Sequence, residues 1–285
     1  MTKQEEIMNK QNELDMLKCQ FASRKLFNRA EIENYCSTLL SIASILCVFF
    51  PNQLIIPLIL DVFILYFSIK AKNHVNIAAQ IRNYFDHVIL GLNSSRYSDH
   101  EIREIYGKVE DLITKNQKEC NIQTQNTGRD NPPGVKNWYE FSRQFEGNEV
   151  ILECQRQNCW WNNRLYEIRL ATIFVFSIVI ASIIYIAVNI LGISTFQTLI
   201  CITGSVLKTS EQFIENIRYY RLSTEINNKL SMPQLSQNII QLEHLQELIC
   251  RRRTINVLEI NQVHKMLCRH WSEQYERISK HCGSL

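Results

Sequence analysis

Hydrophobic residues dominate two long intervals of the chain, residues 36–69 and 170–207, which contain no Lys, Arg or Glu. Asp61 is the only charged residue in either interval. Because charged residues make up 21% of the whole chain, such intervals are not expected in a water-soluble protein. Long apolar stretches are typical of helices that cross a lipid bilayer. The pattern therefore predicts a membrane protein.

Each interval contains a turn signal that divides it into two arms, which predicts a helical hairpin. In the first interval, the Pro-Asn-Gln sequence at residues 51–53 separates residues 36–50 from residues 54–69. Each of these arms would form about 24 Å of helix, which is short against a hydrocarbon core of about 30 Å. We expect the bilayer to thin locally, or the flanking lysines to reach toward the headgroups.

The second interval divides at Gly192 into residues 170–191 and residues 196–207. The predicted fold class is therefore an all-α membrane protein with four transmembrane helices in two hairpins. Neither turn carries Lys or Arg, whereas the three segments outside the intervals are rich in both. The positive-inside rule then places those segments, and both ends of the chain, in the cytoplasm.

The topology defines three cytosolic segments, which are predicted to be mainly helical. Residues 1–35 read as one amphipathic helix, and the middle segment, residues 70–169, begins helically and has a second helix near residues 101–115. In the C-terminal segment, residues 208–285, the fourth span continues to residue 230. Two further helices are expected there, one through Leu242, Leu245 and Ile249 and a last one over residues 257–278.

Composition narrows the function classes. The 10 cysteines include no C-x-x-C pair, and Cys154 and Cys159 have no nearby His, so neither a disulfide framework nor a metal site is expected. The chain has no Walker loop, dinucleotide fingerprint, H-E-x-x-H or G-x-S-x-G motif. We therefore predict that the protein is not an enzyme and has no cofactor.

Asp61 is the first candidate functional residue. A carboxylate near the middle of a span costs at least about 2.5–3.5 kcal/mol on insertion, so it should face protein or water rather than lipid. It can line or gate a pore in an oligomer, or it can hold helices together through hydrogen bonds. The residue pattern leaves both roles open.

Small polar residues form a stripe on one face of the first span and another on one face of the fourth. Close helix packing uses small residues at this spacing, but a water-exposed lumen in an oligomer would use them too. Both readings stay open at this point. The first stripe is Ser37, Ser41 and Ser44, and the second is Thr198, Cys201 and Ser205, extended by Lys208.

Tryptophans and arginines cluster directly before the third span, and a run of three arginines follows near residue 250. Such residues anchor a chain at the membrane surface, or they recognise an anion by stacking and by pairing with phosphate. The candidate ligand-binding residues are Arg156, Trp160, Trp161, Arg164, Arg251, Arg252 and Arg253.

Seven strings in order along nearly the whole chain carry a resemblance. The most distinctive is "CQRQNCWWNNRL", which begins at Cys154. The others are "NELDMLKCQFASRKLFNRA", "LDVFILYF", "NYFDHVILGLN", "NWYE", "ICRRRT" and "WSEQYE". In these strings the chain resembles the SMODS-associating four-transmembrane effector family, the pore-forming effectors of bacterial antiphage systems such as CBASS.

The resemblance implies a multi-pass protein of the bacterial inner membrane that forms a homo-oligomer and stays silent until infection. A cyclic oligonucleotide from a partner nucleotidyltransferase would then trigger permeabilisation of the bilayer and abortive death of the cell. No nucleic acid polymer is implied as a partner. Two alternatives remain from the residues alone: a non-conducting membrane anchor or scaffold, and a small ion channel or transporter unrelated to defence.

Overall fold

The structure is a computed structural model that describes residues 1–50, 54–92, 96–232, 234–258 and 274, with residues 161–168 described as backbone only. Within these ranges every regular element is helical, and the one β-type contact is an isolated bridge between Thr127 and Lys136. The predicted all-α class is therefore confirmed. The first predicted turn, at residues 51–53, and almost all of the last predicted helix lie outside the described residues.

Eight α-helices are present in the described part of the chain. A π-helical turn, Ile186–Ile190, extends the sixth, and short 3₁₀ turns follow the second and precede the eighth. The helices are α1 Lys3–Lys10, α2 Leu14–Leu46, α3 Ile55–Leu90, α4 Asp99–Lys115, α5 Gln117–Gln125, α6 Glu149–Tyr185, α7 Thr195–Leu230 and α8 Ile239–Arg253.

Local sequence explains several helix ends. Ser98 and Glu101 form a capping box at the start of α4, in which each side chain accepts the other residue's backbone N–H. Thr2 and Glu5 do the same for α1. α3 ends at Gly91, whose φ of 66° is the left-handed conformation that favours glycine at this position.

The sequence predicts one helix over residues 1–35, whereas the structure has α1 and the first part of α2. The helix is interrupted at residues 11–13, where the side chain of Gln11 is buried. Its Nε2 donates to the carbonyl of Tyr139 at 3.1 Å, and the N–H of Tyr139 donates to its Oε1 at 2.8 Å. This two-way contact with a distant segment fixes the break, and helical periodicity gives no sign of it.

Four long helices, α2, α3, α6 and α7, each run without interruption from a charge-free interval into a polar segment. Their polar halves pack with α4 and α8 around the main hydrophobic core, which includes Phe21, Phe85, Ile151 and Leu245. Their apolar halves expose large hydrophobic side chains, among them Leu39, Val62, Leu65, Phe174, Val175 and Phe196. Exposed apolar surface of this extent marks a membrane or protein contact.

Two of the described helices, Leu14–Phe49 and Arg169–Ile190, are long and apolar enough to cross a membrane. Only 11% of the apolar window in the second is buried within the structure. The apolar parts of α3 and α7 are shorter, because Lys70 and Lys208 follow them closely. The structure therefore supports membrane character, and the number of spans stays a prediction.

Candidate functional site

Asp86, in the polar half of α3, is completely buried, and its carboxylate accepts several hydrogen bonds. Nη2 of Arg253 lies 2.6 Å from its Oδ2, and the hydroxyl of Tyr139 donates to its Oδ1 at 2.9 Å. Nε2 of Gln246 donates to Oδ2 at 3.2 Å. A buried carboxylate is tolerated when it is paired and hydrogen-bonded in this way. We refer to Arg82, Asn83, Asp86, Tyr139, Asn158, Gln246 and Arg253 as the Asp86 cluster.

The Asp86 cluster joins four segments that are distant in the sequence. α3 supplies three of its members, and the connection between α5 and α6 supplies Tyr139. Asn158 comes from α6, and its Nδ2 donates to the hydroxyl of Tyr139 at 2.6 Å. Gln246 and Arg253 come from α8. Four of the strings that carry the resemblance, "NYFDHVILGLN", "NWYE", "CQRQNCWWNNRL" and "ICRRRT", therefore meet at this site.

The pKa shifts in the cluster keep both charge signs present at neutral pH. Burial alone would raise the pKa of Asp86, but the charges of Arg253 and Arg82 and two hydrogen bonds hold it below its usual value of 3.8. Burial lowers the pKa of Arg82 to about 10, which leaves this guanidinium protonated. Burial and the nearby carboxylate raise the pKa of Tyr139 well above its usual value, so its hydroxyl remains a donor.

Arg82 is held by aromatic rings as well as by charge. Its guanidinium lies 4.0 Å from the ring centre of Trp138 and 5.1 Å from that of Phe85, and its Nε lies 3.9 Å from Oδ1 of Asp86. Cation–π contacts of this kind offset part of the cost of removing the guanidinium from water. Trp138 is 44% exposed, so its ring stands between the buried cation and the solvent.

A further layer of hydrogen bonds fastens α6 to α8. Nε2 of Gln155 donates to the carbonyl of Leu242 at 2.9 Å and lies 3.2 Å from Oε1 of Gln246. Nη2 of Arg252 donates to the carbonyl of Asn158 at 3.4 Å. The position of α8 is therefore fixed against both α3 and α6 by polar contacts that leave little freedom of register.

The two cysteines of "CQRQNCWWNNRL" take part in the core and carry no reactive character. Cys154 and Cys159 are buried, and burial raises the pKa of both thiols. In the described residues there is no group of three or more His, Cys, Asp and Glu side chains that could hold a metal ion.

The structure separates the residues predicted to bind an anion. Arg156 is exposed on α6 and Trp160 is half-buried, whereas the side chains of Trp161 and Arg164 lie outside the described part. In the arginine triplet, Arg251 points to solvent. Its neighbours Arg252 and Arg253 turn inward, since successive residues of a helix are about 100° apart.

In the apolar halves, the two small-polar stripes face each other between α2, α3 and α7. The hydroxyl of Ser44 lies 3.3 Å from Oδ1 of Asp61 and donates to the carbonyl of Cys201 at 3.0 Å. The hydroxyl of Ser205 donates to the carbonyl of Ser41 at 2.6 Å. All of these stripe residues, together with Ser37 and Thr198, are buried. In this conformation the stripes pack against each other.

Lys208 closes the polar end of this contact. Its Nζ donates to the hydroxyl of Ser68 at 2.9 Å and to Oδ1 of Asn34 at 3.2 Å, and it lies 3.3 Å from a carboxylate oxygen of Glu211. Ser68 in turn shares a hydrogen bond of 3.0 Å with Ser37. The amine thus ties α7 to both α2 and α3 where the charge-free intervals end.

Sequence reasoning named only Arg253 of the Asp86 cluster as a site residue. Asp86 and Tyr139 belong to strings that carry the resemblance, and Asn158 lies in the most distinctive of these strings, so the sequence does contain a signal for these three residues. The sequence contains no such signal for Gln246, because a glutamine that is buried in the fold cannot be distinguished in the sequence from an exposed polar residue of an amphipathic helix. Only the folded chain shows that these residues share one carboxylate.

No curated protein and no solved structure matches this chain. A family model does match: the SMODS-associating 4TM effector domain, over residues 5–274. This range contains all four segments of the Asp86 cluster and both charge-free intervals. Because the match spans nearly the whole chain, the protein belongs to the SMODS-associating 4TM effector family.

Proposed function

We propose that this protein is a membrane-permeabilising effector of bacterial antiphage defence, gated by a signal on the cytoplasmic side. Its four apolar helix halves cross the inner membrane as two hairpins, with both chain termini in the cytoplasm. The signal is a cyclic oligonucleotide made by a partner nucleotidyltransferase. It releases a closed state, the protein acts on the bilayer as a homo-oligomer, and the infected cell dies before the phage matures.

The distribution of exposed residues supports the membrane part of this proposal. Large hydrophobic side chains are exposed on the apolar halves of all four long helices, where water would be a poor solvent. The Gly192 connection carries no Lys or Arg, whereas the polar halves are rich in both. A short apolar half such as residues 55–69, about 22 Å as helix, requires modest thinning of the bilayer.

The proposal that the protein is gated rests on the continuity of α3. This one helix contains Asp61, at the packed stripes, and Asp86, at the centre of the polar cluster. The two carboxylates are 25 residues apart, which is about 38 Å along a helix. Release of α8 from Asp86 would allow α3 to shift as a rod, and the shift would reach the apolar half. Packed interfaces of this kind change between discrete arrangements.

The buried stripes supply the closed state. Ser44 donates to the carbonyl of Cys201 and Ser205 to that of Ser41, so α2 and α7 are in direct contact along these faces in this conformation. In the proposal, activation separates these faces, and copies of the chain expose them to a shared opening. Asp61 and Lys208 then become gating residues, because each would lose partners it has in the closed state.

A non-conducting membrane anchor is the second candidate, and the same burial of the stripes favours it. Hydroxyls that bond to backbone carbonyls across helices, such as those of Ser44 and Ser205, are sufficient to hold a bundle together. The two candidates differ in what they do to the membrane, since an anchor leaves the membrane potential unchanged.

The test is performed in a bacterial host that expresses the protein with and without its partner nucleotidyltransferase. Uptake of a membrane-impermeant DNA dye and the signal of a potential-sensitive dye are followed after induction. The proposal predicts dye uptake and depolarisation only when both genes are expressed. Intact membranes in cells that hold both proteins, with the effector recovered in the membrane fraction, would favour the anchor.

A further inference from the structure

A basic surface lies outside the Asp86 cluster, in a groove between α7 and the end of α8. The groove is shallow and open to solvent, with a volume of about 460 Å³. Its lining includes the apolar side chains of Leu222 and Ile255 and one acidic residue, Glu225. The lining also includes three arginines, Arg218, Arg221 and Arg251.

The groove carries an excess of positive charge. Arg218 lies 3.4 Å from a carboxylate oxygen of Glu215, so its charge is partly matched. Arg221 and Arg251 have no carboxylate within ion-pair distance among the residues that the structure describes. Some other cations of the polar halves are paired across helices, as Lys18 is with Glu110. Two guanidiniums without an ion pair beside one cavity have donors available for an anion.

Residues that neighbour the groove lining along α7 and α8 include buried polar atoms. Among the residues that the structure describes, the hydroxyl oxygens of Tyr219 and Ser223 on α7 have no hydrogen-bond partner, although both residues are buried. The guanidinium of Arg252 lies 5.7 Å from the ring centre of Tyr219, and its Nη1 also has no hydrogen-bond partner within the described part of the chain. None of these atoms belongs to the lining of the groove, so the contact with an anion depends on the arginines of that lining.

Distance from the bilayer distinguishes a dissolved ligand from a lipid headgroup. Arg218 follows Leu207, the last residue of the charge-free interval, by 11 positions, which is about 16 Å along α7. The headgroup layer on one side of a bilayer is only about 5–8 Å thick. In the topology of the proposed function, on which this step rests, the groove therefore lies in the cytoplasm beyond the lipid.

We propose that this groove binds a small, phosphate-bearing molecule dissolved in the cytoplasm, with Arg221 and Arg251 donating to its phosphate oxygens. Leu222 and Ile255 offer an apolar wall for the organic part of the molecule. Arg251 lies two residues before Arg253, which holds Asp86. Occupation of the groove would therefore act on the end of α8 that keeps the Asp86 cluster closed.

The test measures binding to the full-length protein in nanodiscs of phosphatidylcholine. Inorganic pyrophosphate and a panel of cyclic dinucleotides are titrated by calorimetry into wild type, Arg221→Gln and Arg251→Gln. Arg103→Gln, an exposed arginine of α4 far from the groove, is the matched control, and size-exclusion profiles verify that each variant is folded. We expect wild type to bind at least one probe, each groove variant to bind it at least tenfold more weakly, and the control to bind as wild type does.

Three results would overturn the proposal: wild type binds none of the probes, the groove variants bind as wild type does, or Arg156→Gln alone loses binding. Nanodiscs of phosphatidylglycerol separate the sources of phosphate, because loss of probe binding there would identify a headgroup as the natural occupant. If the purified protein binds a probe through the groove but cells that hold both proteins never take up dye, the proposed function is contradicted and the groove is not. Dye leakage that the groove variants leave unchanged would contradict the groove alone.

Discussion

Nη2 of Arg253 lies 2.6 Å from Oδ2 of Asp86, and this ion pair joins the last turn of α8 to the middle of α3. The carboxylate is completely buried and the guanidinium nearly so, which means that water cannot replace either partner while the helices stay docked. The pair also receives support from Tyr139 and Gln246. One charge in the core therefore contributes to the docked position of α8, together with the polar contacts between α6 and α8.

Removal of that charge should be costly. Asp86→Asn leaves the guanidiniums of Arg253 and Arg82 in the core without an anion, and breaking a buried pair from one side costs about 3–5 kcal/mol. We expect a clear fall in the thermal midpoint of the detergent-solubilised protein. Asp111→Asn, on the exposed face of α4, is the control and should change stability by less than about 0.5 kcal/mol. Equal midpoints for the two variants would show that the pair does not hold the fold.

The coupling between the two partners can be measured directly. Arg253→Gln should destabilise the protein as Asp86→Asn does, but the double variant should lose less than the sum, with an interaction energy of about 0.5–3 kcal/mol. The matched cycle uses Arg251→Gln, a neighbour that points to solvent, and should be additive with Asp86→Asn. Chemical unfolding of the six proteins gives both energies. Additivity in the Arg253 cycle would argue against the contact.

The pair also has a signature in the pH dependence of stability. The pKa of Asp86 in the folded protein is held below 3.8, so its contribution is present above that value and is lost as pH falls through the folded pKa. The difference in free energy of unfolding between wild type and Asp86→Asn should therefore be constant from about pH 7 to 5 and shrink below about 3.8. If the difference in free energy of unfolding shrinks near neutral pH, a group other than the Asp86 carboxylate is responsible for it.

Two glycines offer a matched test of packing in the apolar halves. A Cβ at Gly204 would overlap the carboxylate of Asp61 and approach Ile64, whereas a Cβ at Gly107 of α4 would meet nothing. Gly204→Ala should cost about 1–3 kcal/mol through overpacking, and Gly107→Ala should gain about 0.5–1 kcal/mol through helix propensity. Thermal melting in detergent compares them. If both variants gain stability, α3 and α7 do not pack closely at Asp61.

Much of the architecture could be predicted from hydrophobic patterning. The charge-free intervals gave the apolar halves of four helices, and the continuation of the fourth to residue 230 matches the end of α7 at Leu230. The stripes through Ser41 and Ser205 were recognised as single faces. Which face they contact could not be predicted, because spacing along one helix carries no information about its neighbour.

The polar cluster shows the limit more clearly. Arg251, Arg252 and Arg253 are chemically identical in the sequence, yet Arg251 points to solvent, Arg252 is buried and Arg253 is mostly buried. The rotation of α8 against α3 and α6 decides which side faces inward. Tyr139 lies in a connection without periodicity, so its contact with Asp86 follows from tertiary packing alone.

Current across a planar lipid bilayer that contains the purified full-length protein tests the central claim most directly. A panel of cyclic di- and trinucleotides is added to the side that holds the polar segments, and the current is recorded before and after each addition. The account predicts a silent membrane at first and a stable conductance after one member of the panel is added, reduced in Asp61→Asn. A membrane that contains inserted protein and stays silent throughout, or one that conducts equally before any addition, would contradict it.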